Sequence, residues 1–243
     1  MNKIYVVGIG PGEYEQMTVK ADRVLSRCDV IIGYDVYVDL VREHFPGKEF
    51  LTTPMRQEEK RCRIAFEQAS SGKTVAMICS GDAGIYGMTG LIYELAPSYP
   101  GVEIETVCGV SAVISGAGIL GAPLIHDFAV ISLSDLLTPW EKIEKRLSAA
   151  SQSDMVICLY NPSSMKRKDY LKRACLIMSK YKKPDTVCGI AHNIGRQGEQ
   201  TQILTLEELT DTQVDMFSTV FIGNEQTRVI EGKMVTPRGY RHE

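Results

Sequence analysis

The stretch 5–18, YVVGIGPGEYEQMT, holds the first residues with a chemistry to offer. An apolar run ends in Gly8, Gly10 and Gly12, the opening of the G-x-G-x-x-G/A turn with which a strand hands a pyrophosphate to a helix N-terminus. The sixth position of that pattern is Glu13. Its carboxylate would repel a pyrophosphate, and Pro11 removes a backbone N–H from the turn. Asp35 stands after the next strand, where a ribose contact belongs, so the fingerprint is half present. No Gly-Lys-Ser/Thr follows, which argues against a P-loop. A tight strand-to-helix turn needs glycine in any case, so both readings stay open on this stretch alone. CSGDAGIYGMTG (79–90) adds four more glycines and Asp82, and CGVSAV (108–113) is a third small-residue turn. No lysine or arginine lies in these loops. They suit a neutral or zwitterionic ligand better than a phosphate.

The elements that must carry these turns alternate. IYVVGI (4–9), DVIIGY (29–34), TVAMICSGD (74–82) and VEIETVCG (102–109) are short β-branched runs of the kind buried in a parallel sheet. Helical spacing appears over 17–27 and 54–72, and VSAVISGAGILG is a small-residue helix behind the fourth strand. The βαβα alternation predicts a mostly parallel N-terminal sheet with helices on both faces. Ligands of such sheets bind at the C-terminal ends of the strands, where all three turns fall. In the second half FAVISLSD (128–135), DMVICLYNP (154–162), TVCGIAHNIG (186–195) and MFSTVFIGN (216–224) read as strands, and 166–183 as a basic amphipathic helix. Polar turns between them predict a mixed sheet. Gly121-Ala122-Pro123 breaks a helix, which sets the expected domains at 1–122 and 123–243.

With 243 residues and 44 % hydrophobic content, the chain can build two packed α/β domains. The 27 basic and 30 acidic residues are spread evenly, so neither a nucleic-acid footprint nor a polybasic membrane patch is expected. No apolar run approaches the length of a membrane span. The N-terminal apolar run is too short for a signal peptide. The seven cysteines are odd in number, form no CxxC and sit largely in apolar runs. They predict reduced thiols in a cytoplasmic protein, without a disulfide framework or metal centre.

Taken in order, GIGPG (8–12), SGDAGIYG (80–87), GVSA (109–112), LYNP (159–162) and TPRGY (236–240) resemble the tetrapyrrole methylase family over essentially the whole chain. The resemblance implies a homodimer of two α/β domains that bind S-adenosylmethionine in the cleft between them and methylate porphyrin-derived rings. HDFAVISLSDLLTPW (126–140) and TPRGY resemble the C-17 methyltransferases of cobalamin synthesis. These methylate C-17 of precorrin-3B, or of cobalt-factor III in the anaerobic route, with ring contraction. Matched position by position, the family places Pro11 by the methionine and sulfonium end of the donor. Gly81, Asp82 and Ile85 fall in its second cofactor loop, Ser111 and Ala112 in the third. Tyr160 falls near the adenine, with Ala191, Thr236 and Pro237 as later cofactor-side positions. Another precorrin methylase of different regiochemistry, and a non-catalytic protein that binds S-adenosylmethionine or a tetrapyrrole, are the alternatives. A nicotinamide oxidoreductase is disfavoured by Pro11 and Glu13.

Methyl transfer from a sulfonium asks for positioning and desolvation. Ring contraction adds proton transfers, which call for a side chain able to carry a proton. His126, beside Asp127 at the expected boundary, is either that group or a hydrogen-bonded linker histidine. Asp135, after a strand with Ser132 and Ser134, is either an acid–base group or the cap of the helix that Pro139-Trp140-Glu141 begins. A polycarboxylate ring needs cationic partners. Arg238 in TPRGY is the candidate, with Asp127 and Ser132 as further substrate contacts. Lys166, Arg167 and Lys168 either join it or form a solvated basic face. His192, His44 and His242 read as surface residues.

Overall fold

The β-branched runs of the first half form five parallel strands in the computed structural model, which describes residues 2–164 and 168–240. These are β1 (Lys3–Gly8), β2 (Val30–Tyr34), β3 (Glu49–Thr53), β4 (Thr74–Cys79) and β5 (Glu103–Val107). They hydrogen-bond in the order β3-β2-β4-β1-β5, each neighbouring pair parallel. The strands are apolar on both sides, so alternate residues enter different layers. Val7, Ile31, Ala76 and Ile78 pack with Ala21 and Leu25 of α1 (Val19–Arg27) and with Val38 and Val41 of α2 (Asp35–Val41). Val6, Ile32, Val75 and Met77 pack with Cys62, Ala65 and Phe66 of α3 (Glu58–Ser70) and Ile92 of α4 (Thr89–Leu95). Burying each such large side chain contributes about 1.5–3 kcal/mol. Helix α1 starts where Thr18 accepts the Ala21 N–H at 3.2 Å, an N-cap that the sequence stretch MTVKAD carries.

Two elements differ from expectation. The helix predicted over 54–72 begins at Glu58, because Arg56 takes a left-handed φ of +66° that no helix accommodates; EFLTT, before Pro54, pairs with β2 as the edge strand β3. DVYVDLV, β-branched and short, is the helix α2. It packs on the sheet through Val38 and Val41, so tertiary contact overrides its weak helix propensity.

The second half builds a mixed sheet. Its strands are β7 (Phe128–Ser132), β8 (Val156–Tyr160), β9 (Val187–His192), β10 (Gln200–Thr205) and β11 (Ser218–Ile222). The order is β10-β9-β11-β8-β7, with β7 and β8 parallel and the other pairs antiparallel. Helices α6 (Trp140–Gln152), α7 (Tyr170–Met178) and α8 (Leu206–Thr210) share one apolar cluster with Ile157, Leu159, Ile190 and Val220. Two residues of β6 (Gly121–Ala122) pair with β13 (Lys233–Val235), which pairs with β12 (Arg228–Ile230). Among the described residues no helix is long and apolar enough to cross a membrane.

The chain divides into two compact units, Met1–Ala112 and Val113–Glu243. The sequence sets the division at 122/123, and helix α5 (Ala112–Leu120) lies between the two positions. Its packing explains the difference. A Cβ on Gly116 would stand 3.0 Å from the Phe221 ring, and one on Gly189 would stand 2.8 Å from Leu120. The helix therefore lies directly on β9 and β11. The break after it ends the helix without ending a unit.

Candidate functional site

In the first unit the sheet order brings β4, β1 and β5 side by side, so the three turns read from the sequence follow adjacent strands. They are locked backbone to backbone. Gly10 and Gly81 exchange N–H···O bonds of 3.1 and 2.7 Å. A Cβ on Gly8 would lie 2.6 Å from the Gly81 carbonyl oxygen, and one on Gly109 would lie 2.1 Å from that same oxygen. Glycine is thus required at Gly8 and Gly109 by the approach of one loop to another, not by a phosphate. Gly10 adopts φ +79°, where a side chain is strained.

Asp82 holds the junction. Its Oδ1 accepts the N–H groups of Gly84 and Ile85 at 2.8 and 3.1 Å, and its Oδ2 accepts that of Gly109 at 2.9 Å. The carboxylate ties the second loop to the third, and the Ile85 N–H is taken. The Thr18 hydroxyl adds a bond to the Cys108 carbonyl at 3.2 Å. Pro11, Gly81 and Ser111 are buried beside these loops, Asp82 is half-buried, and the Ile85 side chain is exposed. A Cβ on Gly81 would meet Ala112 N and Ser111 Cα at 3.7 Å, ordinary contact. The backbones of the second and third loops therefore run side by side at Gly81.

In the second unit the C-terminal ends of β7 and β8 lie in register, Ser132 opposite Tyr160. The Tyr160 hydroxyl accepts the Val113 N–H at 2.7 Å, at the start of α5. Ser132 Oγ accepts from the Ser134 N–H at 3.2 Å and from Asn161 Nδ2 at 2.9 Å. Asn161 is left-handed at φ +52°, a conformation asparagine tolerates. Asp135 is not a helix cap: α6 starts at Trp140 with Pro139 before it. Its Oδ2 accepts from the Tyr170 hydroxyl.

A second group of expected residues meets around β6 and β13. Thr236 is fully buried. Its N–H donates to Ala122, its hydroxyl donates to the Pro123 carbonyl at 2.7 Å, and Thr227 Oγ1 lies 2.8 Å away. Arg238 Nη1 reaches the Ile125 carbonyl at 3.4 Å, which puts it beside His126 and Asp127. His126 is half-buried, and its Nε2 is enclosed without a hydrogen-bond partner among the described residues. Asp127 is exposed, and its carbonyl accepts the Val156 N–H. Pro237 follows Thr236, half-buried. Ala191 is fully buried within β9. Neither Ala191 nor Thr236 exposes surface to a ligand in this structure.

Tyr34 and Tyr37 pack edge to face at 5.2 Å, and Met88 packs against the core of the first unit. Lys168 is exposed. Lys166, Arg167 and His242 lie outside the described residues. His192, read as a surface residue, is half-buried and pairs with Asp215 at 3.0 Å. Desolvation opposes ionisation of Asp215. The bonds from His192, the Phe217 N–H and Ser218 nevertheless hold its carboxyl below the ordinary range.

Six cysteines are buried, and Cys108 is exposed. Burial pushes the Cys28 and Cys79 thiols up to about 11, and those of Cys62 and Cys175 to about 12. They act as small apolar residues. Among the described residues no cluster of His, Cys, Asp and Glu is placed to hold a metal. Sequence reasoning missed Asn161, Tyr170 and Arg173. The signal was present: Tyr170 and Arg173 are three apart at the start of a helix, so they share a face.

Comparison with known proteins agrees with this geometry. The family model for Tetrapyrrole (Corrin/Porphyrin) Methylases matches residues 3–210. A cobalt-factor III methyltransferase of Priestia megaterium is 42 % identical over 99 % of this chain. The chain spans only 46 % of that longer protein. A probable cobalt-factor III C(17)-methyltransferase of Salmonella typhimurium is 45 % identical over 97 % of this chain and 98 % of its own length. The crystal structure of the methyltransferase CobJ superposes with a TM-score of 0.89 at 32 % identity, covering 96 % of this chain and 99 % of that one. With the family model spanning most of its length, the chain belongs to the tetrapyrrole methylase family.

Proposed function

We propose that this chain methylates C-17 of cobalt-factor III with S-adenosylmethionine as donor, and that the macrocycle contracts in the same reaction. The observation that carries the reading is the end-to-end match, at 45 % identity, to a probable cobalt-factor III C(17)-methyltransferase. Relatives named for the cobalt-bearing substrate favour it over the metal-free one. The cobalt belongs to the substrate. The homodimer implied by the family resemblance is part of this reading, and sedimentation velocity tests it.

When bound, S-adenosylmethionine supplies a methyl group already activated by its positive sulfur. What remains for the protein is placement and exclusion of water. The junction of Gly8, Gly81 and Gly109 is rigid because three backbones meet in it. Asp82 spends both carboxylate oxygens on that junction, so it holds the loops and is not a base. Pro11 stiffens the first loop, and the peptide groups around Gly81, Ser111 and Ala112 receive the polar end of the donor. Tyr160 fixes the start of α5 directly behind the third loop. His126 is the group for proton movement. Its Nε2 is enclosed and unsatisfied, a state that calls for a partner no described residue supplies. Asp135, held by Tyr170, positions the loop after β7. Arg238 offers an exposed cation to a substrate carboxylate.

The test is anaerobic turnover of cobalt-loaded and metal-free substrate with labelled donor. Mass spectrometry reads methylation, and NMR of the product reads its position. Label on C-17 of the cobalt substrate is the expected result. Label on another carbon would establish a different regiochemistry, and no transfer would leave a binding protein.

A further inference from the structure

Arg173 is a cation held in place with nothing yet to hold. Its guanidinium carbon lies 4.0 Å from the Trp140 ring centroid and 5.0 Å from that of Tyr170. Among the described residues its side chain has no hydrogen-bond or ion-pair partner. A guanidinium on two aromatic faces gains a cation–π attraction and keeps its planar fork of donors pointed outward. Little side-chain freedom is then left to lose when a carboxylate arrives.

The same aromatic pair anchors the loop after β7 at both ends. The Tyr170 hydroxyl holds Asp135, and its ring packs against Trp140 at 4.7 Å. Between these anchors Leu136 and Leu137 are 61 and 98 % exposed. Two neighbouring leucines thus stand in solvent on a loop whose ends, Asp135 and Trp140, rest on Tyr170 and on the stacked Arg173. They lie past the C-terminal ends of the parallel strands β7 and β8, the edge where ligands of such strands bind.

We infer that Arg173, with Leu136 and Leu137, receives one carboxylate-bearing edge of the tetrapyrrole. The guanidinium grips a peripheral carboxylate and the leucines cover adjoining apolar ring surface. This rests on the functional reading above and names a substrate contact within it. The chemistry matches in both parts: the ring has an apolar face and an anionic rim, and the loop offers an apolar tip beside a cation.

Uroporphyrin, a stable metal-free polycarboxylate ring, serves as the probe, with binding read by its fluorescence. Arg173→Met keeps the stack on Trp140 and removes the charge. It is expected to weaken binding about tenfold, the loss of one partly exposed charge-assisted contact. The difference from wild type should shrink as salt rises. Donor affinity, read by calorimetry, should stay unchanged. Leu137→Glu, at a site too exposed to disturb folding, should also weaken porphyrin binding. If Arg173→Met binds as wild type at low and high salt, the assignment is overturned while the functional reading stands. If Leu137→Glu loses affinity only by dissociating the protein into smaller species, the leucines are a subunit contact and the assignment fails. If wild type binds no porphyrin and methylates no tetrapyrrole, both readings fail together.

Discussion

Asp82→Asn tests whether the loop junction is held by the carboxylate or merely decorated by it. The substitution keeps size and shape. With its amide oxygen at the Oδ1 position it still accepts the Gly84 and Ile85 N–H groups, bonded in the native chain at 2.8 and 3.1 Å. The amide nitrogen then faces the Gly109 N–H, which Oδ2 accepts at 2.9 Å. One charge-assisted bond is replaced by two donors pointing at each other, a loss of about 1.5–3 kcal/mol. Asp82 is half-buried, so water relieves part of this and the lower end applies. A chain of this size loses about 2–4 °C in melting temperature per kcal/mol, which sets the expected drop at about 3–6 °C. The third loop is released from the second, so donor affinity by calorimetry should fall about tenfold or more, since each 1.4 kcal/mol is a factor of ten. Gly109→Ala attacks the same junction sterically: its Cβ would sit 2.1 Å from the Gly81 carbonyl oxygen, with backbone on both sides and no flexible atom to give way. It should be the more damaging change. Asp82→Asn melting with wild type and binding the donor equally well would refute the reasoning.

His126→Ala should leave donor affinity intact and slow product formation, and normal turnover would remove His126 from the chemistry. Brief treatment of the native protein with a thiol reagent at mild alkaline pH should label Cys108 alone, because the other six thiols are buried; peptide mapping by mass spectrometry would show any second site. The Asp215 carboxyl is held below its ordinary value in the folded chain. Its contribution to stability is therefore complete above the unfolded value of about 3.9 and disappears as pH falls through the folded one. Asp215→Asn should flatten the acid limb of a stability–pH curve measured by urea unfolding, and an unchanged limb would count against the His192 pair. Thr236→Val keeps volume but strands the buried Pro123 carbonyl, costing about 1–3 kcal/mol, which a denaturant midpoint would detect.

The parallel sheet of the first unit was legible because its strands are continuous apolar runs closed by glycine. Edge strand β3 was not, since EFLTT is partly exposed and alternates without a clear apolar face. Helix α2 hid behind its β-branched residues. In the site, the three glycine turns and their shared sheet edge could be read directly. The reason for their glycines could not. Composition says that Gly8, Gly81 and Gly109 are present, and only the fold says that each is another's neighbour. Asp82 stood out as a lone carboxylate among glycines, a placement that suggests ligand contact, yet its partners are backbone N–H groups from two loops. Tyr170 and Arg173 looked like part of a basic helix until the aromatic stack with Trp140 separated them from it.

The glycine junction also sets a timetable. Its members are contributed by segments that follow β1, β4 and β5, strands adjacent in space and far apart along the chain. Contacts between such distant segments form late, because the closure entropy of the intervening chain must first be overcome. As the polypeptide leaves the ribosome, Gly8 emerges early and waits for Gly109. Until β5 has docked beside β1, the junction at Gly81 lacks the third loop, so under the proposed function a nascent chain has no complete donor-binding surface. On that reading, donor binding reports that the parallel sheet has closed in the correct order.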